Sequence, residues 1–142
     1  MEITAVALQT VEDNNNIFFT ETVAKRKNCP SIFHREGSGL VSLRGIGTQC
    51  RARYKISFGA NVALPTGGTI GDPIQLAIAI NGEQVLSTTM ISTPAAVEEF
   101  NNVFSSIYLD VPAGCCYQVS VKNISTQAIE VQNANLIIER VA

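Results

Sequence analysis

A chain of 142 residues, 46% hydrophobic and only 15% charged, is long enough for one folded core and too apolar for a disordered tail. Its net charge of −2 excludes a strongly basic nucleic-acid-binding body, and its longest apolar runs fall far short of a membrane span. The charge is unevenly spread: residues 1–55 carry eight Lys/Arg against five Asp/Glu (+3), and residues 56–142 carry two against seven (−5). The basic half has no aromatic platform among its cations, as a single-strand binder would need. Opposite signs on one small domain suit head-to-tail packing of copies around a ring.

In chain order, "MEITAVALQT" has no basic stretch leading into an apolar run, so no secretory signal is read there. Strands are expected over 3–9 and 17–23, with the polar turn "DNNN" (13–16) between them. The basic run Lys25, Arg26, Lys27 ahead of Pro30 is expected in a loop, where it would form a charged docking face. Strands over 31–35 and 39–44 follow. "CRARYKISF" then puts Ala52, Tyr54, Ile56 and Phe58 on one face and Arg51, Arg53, Lys55 and Ser57 on the other. Residues 63–73 read as a Pro/Gly loop. Next, Ile74, Leu76, Ile78 and Ile80 alternate into "INGE" (80–83), whose Asn-Gly is a strong signal for a two-residue hairpin. Further strands are expected over 84–92, 100–111, 115–122 and 128–140, with "TPAAVEEF" (93–100) as the one helical turn and "VPAG" (111–114) as a tight turn. About ten short antiparallel strands at close spacing predict an all-β sandwich or jelly roll, as a single domain over residues 1–142.

Reaction chemistry would have to come from "SIFHREGSGLVSLRG" (31–45), which holds the only histidine, His34, beside Arg35, Glu36 and Ser38. On a strand, His34 and Glu36 share one face and Arg35 takes the other. "EGSGL" is not a nucleophile elbow, because Glu36 stands where that motif has glycine and no helix follows. No phosphate loop, dinucleotide fingerprint, zinc-protease or calcium-loop motif occurs. The expectation is a protein without catalytic residues, cofactor or metal. Of the four cysteines, Cys29, Cys50, Cys115 and Cys116, none forms a C-x-x-C pair, which gives no footing for structural zinc. Neighbours Cys115 and Cys116 point to opposite strand faces. Two full pairings therefore stay open, 29–115 with 50–116 or 29–116 with 50–115, and free thiols are favoured in the absence of a signal.

The order of elements resembles the jelly roll of the tumour-necrosis-factor and complement-globular-head superfamily. The resemblance rests on the split strand "AVALQ…NIFFTET", the long strand "CRARYKISFGANVAL", the hairpin "IQLAIAINGEQVLSTT", the pair "FSSIYLDVPAGCCYQVSV" and the closing "NANLIIERV". It covers nearly the whole chain and is nearest to small bacteriophage virion proteins and bacterial spore-surface heads; no Gly-X-Y stalk precedes the domain, which favours the virion. The resemblance implies a compact homotrimer in which each sandwich edge packs onto the next copy, with His34, Arg35 and Glu36 at the subunit boundary. It implies a capsid-decoration or fibre-head protein whose partners are itself and other virion proteins, with no nucleic acid, membrane or small molecule. A bacterial cell or spore surface is the alternative location. The alternative function is a module recognising a host glycan or receptor through loops 63–73 and 93–102. Tyr54, Tyr108 and Tyr117 are expected inside strands and give those loops no aromatic platform.

Overall fold

The computed structural model describes residues 1–24, 31–45 and 50–142. Twelve strands occur among them: β1 (Glu2–Ala5), β2 (Gln9–Val11), β3 (Glu21–Ala24), β4 (Ile32–His34), β5 (Val41–Arg44), β6 (Arg51–Ala63), β7 (Ile74–Ile80), β8 (Glu83–Gln84), β9 (Met90–Ser92), β10 (Asn101–Pro112), β11 (Cys116–Asn123) and β12 (Ile129–Arg140). They form two antiparallel sheets. The first runs β10-β6-β12-β1-β3 with β2 also on β12, and the second runs β4-β5-β11-β7-β8 with β9 also on β7. This is the expected all-β jelly-roll sandwich.

Alternation explains why the sheets face each other. Along β6, Ala52, Tyr54, Ile56, Phe58, Ala60 and Val62 are buried, while Arg51 and Lys55 face out, as a period of two requires. Ile74, Leu76 and Ile78 of β7 supply the opposing layer. Phe19 stacks edge-on against Phe58 at 6.4 Å between ring centres. Tyr54 crosses the sandwich from β6, and its hydroxyl donates to the carbonyl of Arg44 at 2.6 Å. A ring that fills the core thus also ties the first sheet to the second.

The Asn-Gly hairpin forms as expected. Asn81 (φ 53°) and Gly82 (φ 84°) both take the left-handed conformation that this tight turn demands. Asn81 also accepts from the backbone N–H of Gln118 at 2.9 Å, which locks the hairpin to β11.

Several expected strands are broken instead. Residues 3–9 split into β1 and β2, and β12 slips register opposite them between Gln132 and Asn135, around Asn133 at φ 55°. Of 17–23, only the part from Glu21 joins the first sheet. Upstream, Ile17 bonds Val121 of the second sheet, and Thr20 bonds Thr4 of the first, so the segment crosses between layers. Residues 84–92 are interrupted by a 3-10 turn at Leu86–Thr88. There the Thr88 hydroxyl accepts from the Ile78 N–H at 2.9 Å, filling a ladder position that the backbone has left.

No helical turn forms at 93–100. The Glu98 N–H is drawn to the Leu64 carbonyl at 2.9 Å, with Glu98 at φ 60°, and that conformation ends any right-handed helix.

Candidate functional site

His34 closes β4 and is half-buried. Its Nε2 donates to the Ser38 carbonyl at 2.9 Å, its Nδ1 is buried without a partner, and its ring meets Phe19 edge-on at 6.4 Å. The imidazole is therefore turned toward the core of its own sandwich. The shared face with Glu36 does not hold: the strand ends at His34, and Glu36 lies in the turn closed by the Ser38 N–H on the Arg35 carbonyl at 3.0 Å. Gly37, at φ 88°, makes that turn possible. Arg35 and Glu36 are exposed at the rim. The Ser38 hydroxyl accepts from the Leu40 N–H at 3.1 Å, so it serves the turn. Lys25, Arg26, Lys27 and Cys29 lie outside the described residues.

The outer face of the first sheet is a surface that the sequence reading did not assign. Across β10, β6 and β12, three successive rows carry no charge: Asn102–Asn61–Gln132, Phe104–Gly59–Asn135 and Ser106–Ser57–Ile137. Phe104 is 65% exposed and Tyr108 is 62% exposed on this face, with Ile137 also open to solvent. Gly59 lies beneath the Phe104 ring, where even a Cβ would meet it only at an ordinary contact of 3.7 Å. Beside it the Asn102 amide donates to Asn61 and the Asn61 amide to Asn133, both at 3.2 Å, and Ser57 meets Ser106 at 3.0 Å. The alternation of "NNVFSSIYLD" could have revealed this face, because Phe104 and Tyr108 occupy the phase opposite to Val103 and Val111.

Charge gathers toward the far end of the same face. Arg53 grips both carboxylate oxygens of Asp110, at 2.8 and 3.1 Å, and Arg51 approaches at 3.4 Å. The Arg53 hydrogen bond holds the Asp110 carboxyl below its ordinary range, with partial desolvation opposing, and the same bond holds the guanidinium above its own. Part of the basic half is thus neutralised by an acid from the acidic half.

The two loops proposed for recognition meet at one end. Glu98 bonds the Leu64 backbone, and the Thr66 hydroxyl donates to its carboxylate at 2.8 Å. The Gln127 side chain accepts from the Thr69 N–H at 2.8 Å and donates to the Thr69 carbonyl at 3.1 Å. Tyr54, Tyr108 and Tyr117 lie in β6, β10 and β11, away from these loops. Among the described residues, no three His, Cys, Asp or Glu side chains are grouped to hold a metal. Cys50, Cys115 and Cys116 are free thiols.

No protein-family model matches the chain, and no curated protein matches it in sequence. Solved structures do match it in fold. Eiger TNF from S. frugiperda aligns over 100% of this chain and 92% of its own, with a TM-score of 0.67 and 14% identity. The globular domain of the zebrafish complement 1qA protein aligns over 96% and 93%, with a TM-score of 0.60 and 8% identity. Murine APRIL aligns over 92% and 95%, at 0.52 and 10%. The fold is therefore the jelly roll of the TNF and complement globular domains. At such identities the likeness speaks for the fold alone.

Proposed function

We propose that the chain, acting as a single domain over residues 1–142, is a non-enzymatic structural protein of a bacteriophage virion, a homotrimeric capsid-decoration or fibre-head component. The observation that carries self-association is the set of three uncharged rows on the outer face of the first sheet, with Phe104 and Ile137 exposed in them and Tyr108 exposed beside them, because a soluble monomer seldom leaves such groups together in water. The edge of one copy, with His34, Arg35 and Glu36, packs against this face on the next, giving the heterologous contact that closes a ring. The virion role rests on the sequence resemblance. It is supported by a rigid scaffold and by the engagement of His34 and Ser38 in local hydrogen bonds. The basic run Lys25, Arg26, Lys27 supplies the docking face toward an acidic particle surface.

Light scattering coupled to size exclusion tests the assembly: a trimer is expected, and a monomer at micromolar concentration overturns it. Co-sedimentation with undecorated phage particles across a salt series tests the role. Wild type should bind less as salt rises, and a Lys25/Arg26/Lys27→Ala variant should bind weakly throughout.

A second reading, recognition of a host glycan or receptor, is favoured by the meeting of loops 63–73 and 93–102 through Glu98. A glycan-array signal from a protein that ignores the particle would select it.

A further inference from the structure

We propose that β10 is a pairing edge for a second copy of this chain, joined to it antiparallel about a two-fold axis through Ser106. The pairing goes beyond the ring contact proposed above and uses different atoms. β10 ends the first sheet on one side, and β6 is its only strand partner among the described residues. Its free groups follow from the register. The Val141 N–H donates to the Arg53 carbonyl at 2.8 Å, so Arg53, Lys55, Ser57 and Gly59 turn their backbone toward β12. Tyr54, Ile56, Phe58 and Ala60 therefore bond Leu109, Ile107, Ser105 and Val103. The N–H and C=O groups of Asn102, Phe104, Ser106, Tyr108 and Asp110 are left pointing away from the sheet. No loop among the described residues takes them up.

This edge lacks the guards that keep exposed strands from pairing. β10 runs for 12 residues, whereas β3, β4 and β8, at the other sheet ends, have 4, 3 and 2. No charge occurs from Asn101 to Leu109, no proline precedes Pro112 in the strand, and the pairing with β6 has no bulge. On the inner side Ser105, Ile107 and Leu109 are only half-buried, so the sandwich is open beneath the edge.

The strand's own order of residues makes a second copy the occupant. With Ser106 opposite Ser106 of the second copy, Phe104 meets Tyr108, Asn102 meets Asp110, Val103 meets Leu109 and Ser105 meets Ile107. No like charges face each other, since Asp110, already paired with Arg53, meets an amide. An aromatic pair forms twice on the outer side. Five residues of each copy exchange both of their bonds, giving about ten backbone hydrogen bonds, the number a stable protein interface carries. The half-buried Ile107 and Leu109 are covered in the same step. Side chains stand off the sheet while the N–H and C=O groups lie in its plane, so the outer face stays available to the ring contact.

Sedimentation velocity on the full chain over a concentration series tests the pairing, with amide exchange followed by NMR. Trimers should join in pairs or larger sets as concentration rises. The amides of Phe104, Ser106 and Tyr108 should then slow, while those of Val103, Ser105 and Ile107, already bonded to β6, stay unchanged. Ser106→Pro removes one outward N–H and no bond to β6, so it should keep the trimer and abolish the larger species. Circular dichroism checks its fold, and the wild-type exchange pattern decides if the variant is unfolded. Trimers that never join, joining that a folded Ser106→Pro leaves intact, or unchanged exchange at the three outward amides overturns the proposal. Monomers that form only dimers, abolished by Ser106→Pro, support the edge pairing and overturn the trimer instead.

Discussion

Asn123 is wholly buried, and its amide is fully used. Its Nδ2 donates to the carbonyls of Val11 at 3.0 Å and Gln127 at 3.1 Å, and its Oδ1 accepts from the Ser125 N–H at 2.9 Å. One side chain thereby holds the end of β2 and the turn leading into β12. Asn123→Ala strands those backbone groups, each worth about 1–3 kcal/mol when buried, so a loss of about 2–4 kcal/mol is expected in urea titration. Asp110 has a different signature. Its carboxyl is held below the ordinary range by Arg53, so its stabilising contribution is present above that range and fades as pH falls through it toward the depressed folded value. Wild type should lose its small advantage over Asp110→Asn between roughly pH 5 and pH 3, as thermal melts across that interval would record.

Two of the three broken strands, 17–23 and 84–92, share one feature: a neighbouring layer or a side chain takes over hydrogen bonds that a regular ladder would have made. Residues 84–92 alternate well enough to predict one strand, yet Leu86–Thr88 turns away and the Thr88 hydroxyl completes the pairing of Ile78. Thr88→Val keeps the shape and removes the acceptor, leaving a buried N–H. Chemical denaturation should register about 1–3 kcal/mol of destabilisation. The reverse case is the Asn-Gly hairpin, legible because its chemistry is local: two residues that tolerate positive φ, placed between alternating runs. The helical turn expected at 93–100 failed because a distant carbonyl, that of Leu64, captured Glu98, and no window of nine residues carries that information.

For the whole molecule, the proposed assembly turns on the uncharged rows of the first sheet. Phe104→Asp puts a charge in the middle row, on the edge strand β10, without touching the core, since the ring is exposed. It should convert the trimer to monomer in light scattering while the thermal midpoint of the isolated subunit stays nearly unchanged. His34→Ala should weaken the trimer less. Its loss of the Phe19 contact and of the Ser38 bond also lowers subunit stability, and the two effects separate when association and melting are measured on the same samples. A trimer that survives Phe104→Asp moves the contact to another face.

Alternation and turn residues were enough to determine an all-β sandwich, most strand positions, the Asn-Gly hairpin and the half of β6 that builds the core. These are properties of period and local conformation, which the order of residues carries directly. Tertiary structure decided the rest. It gave the pairing of Arg53 with Asp110, fifty-seven residues apart, the meeting of Arg44 with Cys116, and the joining of the loops through Glu98. It also turned His34 inward and left Phe104 and Tyr108 open to water. Each of these depends on which strands become neighbours and in what register, and a shift of one residue would send every side chain to the opposite face.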